Sequence, residues 1–215
     1  MCASAKMKSS GKGWELFGSG DSIVYVPIER ENAATLSAQV GECRIAALYD
    51  LDWNADLSPW RAKAVFRGQE DFAGNADAYL KKLVDCVIAE AEAGQTIRRR
   101  MIAGYSMAGL FAMYAAARCD CFSGAASASG SMWFGGFIDF LKGAPHVPER
   151  AYFSVGDRER LGRNRAFQSI EECTRAAERI LREKGAETTF ELNPGGHFSD
   201  PVGRLAKGIR WILQQ

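Results

Sequence analysis

The chain has 215 residues, 47% of them hydrophobic, enough for one compact domain with its own core and too few for two full domains. Its 27 basic and 26 acidic residues leave a net charge of +1, which excludes the strongly basic face that nucleic-acid binding needs. No apolar run approaches the length of a membrane span.

The opening segment "MCASAKMKSSGKG" carries lysines with no apolar stretch behind them. It reads as a flexible tail rather than an export signal, with residues 1–20 outside a single domain over 21–215. Without an export signal, the expected setting is cytoplasmic, with reduced thiols. Cys43, Cys86 and Cys173 fall in apolar patterns and read as small buried hydrophobes. "CDC" at 119–121 lacks a second Cys/His pair at zinc spacing, so no metal site is expected.

From residue 22 onward, short apolar runs alternate with helical patterns. "SIVYVPI" (22–28) and "CRIAALYDL" (43–51) read as strands, the second closing in a polar loop with Asp52, Asn54, Asp56 and Ser58. From Ala76 to about Ala93, Tyr79, Leu80, Leu83, Val84, Val87 and Ile88 recur at helical spacing, and Gly94 stops the helix. The triplet Arg98–Arg100 reads as a solvated entry to the strand "RRMIAGYS", after which Leu110, Phe111, Tyr114 and Ala115 mark a helix. "FSGAASAS" (122–129) is a strand of small residues that lets helices approach the sheet. "RAYFSVG" (150–156) and "TTFELN" (188–193) are further strands, with an amphipathic helix over 165–184 between them. Asp200-Pro201 reads as N-cap and first residue of a helix running to about Leu213. This alternation predicts a mostly parallel sheet of about six strands with helices on both faces, and chemistry in the loops beyond the carboxyl ends of the strands.

"IAGYSMAGL" (102–110) places Ser106 between a strand and a helix, with Gly104 and Ala108 two residues to either side. A turn that sharp needs small neighbours, holds the hydroxyl above the sheet, and aims the first helical N–H, that of Met107, at the same place. A serine hydroxyl needs a base. The chain has two histidines: His146, in a Pro-flanked loop, reads as solvated, and His197 in "NPGGHFSD" follows the last strand on a loop with two glycines. Asp157 ends the preceding strand and is the expected acid, with Glu159 its competitor. The order Ser…Asp…His is that of α/β-hydrolases.

These segments, in this order, resemble the esterase family of α/β-hydrolases that includes trilactone siderophore esterases, feruloyl esterases and mycolyl transferases. The likeness spans most of the chain: "DLDWNADLSPW" (50–60), "AGNADAYLKKLVDCVI" (73–88), "AGYSMAGLFAMYAA" (103–116), "SASGSMWF" (127–134), "FSVGDRE" and "GGHF". It implies Ser106 as nucleophile, His197 as base and Asp157 as acid, or a Ser–His dyad in which the acid matters little. It also implies an oxyanion donor at Met107, a second in the loop near Ile28, and Trp133 lining the substrate pocket. The loop "PIEREN" departs from the His-Gly or Asp-Gly usual there. The short connections, notably between Val26 and Arg44, predict a reduced sheet with little or no lid.

The expected function is hydrolysis of a small-molecule carboxylic ester through an acyl-serine, with no metal or organic cofactor. Two alternatives stay open: another acyl-transfer enzyme, a peptidase or an acyltransferase, and an idle hydrolase fold used for binding. The apolar stretch "MWFGGFIDFL" (132–141) fits core, pocket wall or the face of a homodimer.

Overall fold

The computed structural model describes residues 13–65, 68–162 and 164–214. Residues 1–12, most of the expected tail and Cys2 with them, lie outside the described residues.

Strand β1 (Trp14–Gly18) leads to β2 (Ser22–Pro27), helix α1 (Arg30–Val40) and β3 (Arg44–Leu48). A long loop carries the two-residue strands β4 (Arg61–Ala62) and β5 (Phe72–Ala73), which pair with each other. Helix α2 (Ala76–Lys82) continues through a π-helical turn, Leu83–Ile88, into α3 (Ala89–Ala91). Then come β6 (Arg99–Tyr105), α4 (Met107–Arg118), β7 (Gly124–Ala128), α5 (Phe137–Gly143), β8 (Arg150–Gly156), a 3-10 turn at Glu159–Leu161, α6 (Arg165–Gln168), α7 (Ile170–Glu183), β9 (Glu187–Asn193) and α8 (Pro201–Leu213).

The main sheet has seven strands in the order β1-β3-β2-β6-β7-β8-β9. Every neighbouring pair is parallel except β1 with β3. The expected mostly parallel, helix-flanked sheet is present, with one strand more than the six expected. The extra strand is Trp14–Gly18, which falls inside the 1–20 stretch expected as a tail. Its Trp14, Leu16 and Phe17 are buried, and that burial, added to pairing with β3, holds the segment on the sheet.

Two apolar layers sandwich the sheet. Along β2, Ile23 and Tyr25 face a layer with Tyr79 and Leu83, Phe111 of α4 and Leu181 of α7, while Val24 and Val26 face Leu36 of α1 and Ile209 of α8. This alternation within a continuous apolar run is what a strand buried on both faces requires. The small residues of β7 do admit close helices: a Cβ at Gly208 of α8 would stand 3.3 Å from that of Ala126 and 2.6 Å from the Tyr152 ring.

Other sequence expectations change. Helix α1 fills the short connection between Val26 and Arg44. The helix expected over 76–93 is interrupted by its π-turn, and the one over 165–184 is split into α6 and α7. Cys86 is exposed rather than buried, and Cys119 and Cys121 are joined in a disulfide rather than reduced. Within 132–141, Met132, Phe134, Phe137 and Leu141 are buried in the core. The arginine triplet is engaged: Arg98 pairs with Asp21, Arg99 donates to the Leu213 carbonyl, and Arg100 pairs with Glu92. No helix among the described residues is long and apolar enough to cross a membrane.

Candidate active site

Strand β6 ends and α4 begins on either side of Ser106, whose backbone sits at φ 56°, ψ −119°. A non-glycine residue there is strained and is held by its surroundings. Ser106 N–H donates to the Ala128 carbonyl at 3.1 Å, and its own carbonyl accepts from Ser131 N–H at 3.1 Å, so β7 and the loop after it clamp the turn. The need for small neighbours is visible at Gly104, where a Cβ would stand 2.2 Å from the Ala108 carbonyl carbon and oxygen. Met107 is the first residue of α4, so its N–H has no acceptor within the helix and lies beside the serine.

His197 comes to Ser106 from the far edge of the sheet, on the loop after β9. Its Nε2 is 3.0 Å from Ser106 Oγ. The loop is pinned on all sides: Gly195 stands at φ 100°, Arg158 N–H donates to the Gly195 carbonyl at 3.1 Å, and Asp200 caps α8 by accepting Gly203 N–H at 3.0 Å. The Tyr105 hydroxyl donates to the His197 carbonyl, and the Phe167 ring centre lies 4.7 Å from that of the imidazole.

The carboxylate that meets the imidazole is that of Glu159, and Asp157, the residue expected there, lies against the loop backbone. Asp157 Oδ1 accepts the Gly195 N–H at 2.8 Å, so Asp157 braces the histidine loop instead of the imidazole. Glu159 Oε2 meets His197 Nδ1 at 2.7 Å. The reason is geometric. Asp157 directly follows β8 and faces the neighbouring loop backbone, whereas the 3-10 turn starting at Glu159 swings that side chain inward beneath the histidine. Glu159 is 3% exposed, and its other oxygen, Oε1, accepts from Gly156 N–H at 2.6 Å, Ser129 O–H at 2.7 Å and Arg204 Nη1 at 3.2 Å. Burial by itself would raise the Glu159 carboxyl. The hydrogen bonds from His197, Ser129 and Gly156 outweigh it and hold the group below the usual glutamate range.

Arg204, on α8 and 3% exposed, was not singled out in the sequence. It donates to Ser129 Oγ at 3.2 Å and to the Pro194 carbonyl at 2.7 Å, as well as to Glu159. It gives a buried carboxylate a buried counter-charge and fixes which of its oxygens faces the imidazole. One weak signal was available: an arginine amid the apolar face of the last helix.

Ile28 does not supply an oxyanion donor. Its N–H is committed to the Leu48 carbonyl at 3.2 Å, and its side chain is buried between the sheet and α1. The chain leaves β2 toward α1, on the face opposite α4. The loop after β3 is the one that reaches the site, and it places Asn54 in the cleft.

That cleft has a volume of about 350 Å³ and is open to solvent. Trp133 lines it, together with Ser106, Met107, His197, Asn54, Gln69, Phe72, Ser131, Phe167 and Phe198. Phe198 is 86% exposed at its mouth, and the buried Trp133 Nε1 has no hydrogen-bond partner among the described residues. His146 lies elsewhere, its N–H on the Ala117 carbonyl near the far end of α4.

The fold has solved counterparts. An IroE-like serine hydrolase from Shewanella oneidensis superposes with a TM-score of 0.77 at 15% identity, covering 97% of this chain and 79% of that one. The siderophore hydrolase EstB from Aspergillus nidulans gives 0.69 at 17% identity, covering 97% and 93%. The enterobactin esterase FES from Shigella flexneri gives 0.71 at 16%, with 98% of this chain matched to 58% of that longer one. At such identities the likeness is one of fold, the α/β-hydrolase fold. No curated protein sequence matches the chain. A family model does: the one described as "Putative esterase" matches residues 52–200, which run from the loop after β3 through the Ser106 turn and the histidine loop to the cap of α8. The chain belongs to this esterase family.

Proposed function

We propose that the protein is a serine esterase that cleaves a carboxylic ester through an acyl-serine intermediate. One observation carries the reading: at a strained strand–helix turn, Ser106 Oγ lies 3.0 Å from His197 Nε2, while His197 Nδ1 lies 2.7 Å from the buried Glu159 carboxylate.

His197 takes the Ser106 proton as Oγ attacks the ester carbonyl. Glu159 holds the ring in the tautomer with Nδ1 protonated and stabilises the imidazolium that forms. The carbonyl oxygen gains negative charge beside the Met107 N–H and the positive end of α4. The tetrahedral intermediate collapses, the alcohol leaves with the proton from His197, and the acyl group stays on Ser106. Water, deprotonated by the same imidazole, attacks the acyl-serine and releases the acid. None of these steps calls on a metal or organic cofactor.

The open cleft with aromatic walls, Trp133 among them, suits a small ester. Siderophore esters are the first natural candidates to try, because EstB and FES are described as siderophore and enterobactin hydrolases. Labelling with a fluorophosphonate probe tests the reading. Wild type is expected to react, and Ser106→Ala and His197→Ala to remain unlabelled. A folded wild type that fails to react would instead favour an idle hydrolase fold used for binding.

A further inference from the structure

At the other end of α4 from Ser106, the loop to β7 holds the disulfide between Cys119 and Cys121. We infer that this pair is a thiol–disulfide exchange site for a low-molecular-weight thiol bearing carboxylates, independent of the esterase reading.

The bond closes a loop with a single residue inside it, Asp120, so it constrains the unfolded chain very little and is a poor structural staple. The segment is already fixed without it: Cys119 N–H donates to the Ala115 carbonyl at 3.0 Å, Ser123 N–H to the Arg100 carbonyl at 2.8 Å, and Arg100 Nη1 to the Cys121 carbonyl at 3.4 Å. Both cysteines are half-buried on the wall of an open cavity of about 510 Å³, which a small thiol can enter. Arg98, Arg100 and His146 share that wall with Asp120 and Glu149. Arg100 is held by Glu92, but Arg98 is mostly exposed and pairs with Asp21 only at the surface, so it and His146 are the groups left to meet carboxylates of an incoming thiol. The buried Cys43 thiol is pushed up to about 12 by desolvation, as an inert structural cysteine would be.

In the exchange, a small-molecule thiolate attacks one sulfur of the bond. A mixed disulfide forms and the other cysteine leaves as a thiolate. A second small thiolate attacks the outer sulfur of the mixed disulfide. Two small thiols are thereby oxidised to one disulfide, the protein pair is reduced, and the two cysteine sulfurs take up the two protons.

The test equilibrates the full chain in buffers of graded reduced and oxidised glutathione, quenches with N-ethylmaleimide, and assigns modified cysteines by mass spectrometry. Cys119 and Cys121 are expected to pass reversibly, and together, from both alkylated to neither. Cys121→Ser is expected to trap glutathione on Cys119. Because exposed Cys86 can also form adducts, the trapping is repeated with Cys86→Ser. The wild-type titration alone can overturn the inference. It fails if the bond stays closed in excess reduced glutathione, or if both thiols stay open in oxidised glutathione.

Discussion

Two carboxylates two positions apart have separate work. Asp157 holds a backbone N–H of the histidine loop and Glu159 holds the imidazole. Glu159→Gln is therefore expected to lower kcat by about 10²- to 10⁴-fold, and Asp157→Asn to change it far less, in steady-state assays on one ester. The same carboxylate gives a pH dependence. Its folded value lies below its ordinary 4.5, so on acidification the unfolded chain takes up this proton first. Its stabilisation is whole above the ordinary value and is lost as pH falls through the lowered folded one. Urea unfolding between about pH 6 and pH 3 should show a shallower acid loss in Glu159→Gln than in wild type. Arg204→Met leaves that carboxylate buried without its cation and is expected to cost about 3–5 kcal/mol in urea unfolding at neutral pH. At the cleft mouth Phe198 is almost fully exposed. Phe198→Ala should raise KM while shifting stability by no more than about 0.5 kcal/mol.

At the scale of elements, the turn between β6 and α4 joins sequence most directly to chemistry. A Cβ on residue 104 would strike the Ala108 carbonyl, so Gly104→Ala should destabilise the fold by about 3 kcal/mol or more and abolish labelling by the probe. Ala108→Gly, which restores the commoner motif, should cost only about 1 kcal/mol and keep labelling. Circular dichroism melts and probe labelling of the two variants separate these outcomes. The Ser106 turn was legible because every requirement on it is local: small residues at fixed offsets, an apolar run before and a helical pattern after. Helix α1 was not, since only Ala33, Leu36 and Val40 of its residues are buried and its pattern is mostly polar.

For the whole molecule, β1 is the antiparallel edge of the sheet and lies over β3. Removing residues 1–18 exposes β3 as a new edge and uncovers apolar surface beneath Trp14, Leu16 and Phe17. The truncated chain is expected to aggregate more readily, measured by light scattering, while the folded fraction still reacts with the fluorophosphonate. The sheet also accounts for the three loops that meet at the site. Parallel strands β6, β8 and β9 all end on one side, so residues 91 positions apart in the chain come within hydrogen-bonding distance. By itself, the sequence determined the alternation of strands and helices, the serine turn and the one histidine suited to serve it, because periodicity and turn sterics act over a few residues. Only the tertiary structure set Glu159 rather than Asp157 against the imidazole, committed the Ile28 N–H to β3 while the loop after β3 lines the cleft, and brought Arg204 beside the carboxylate. Those choices rest on which backbone amides and buried charges face one another across separate elements, and spacing along a chain does not encode that.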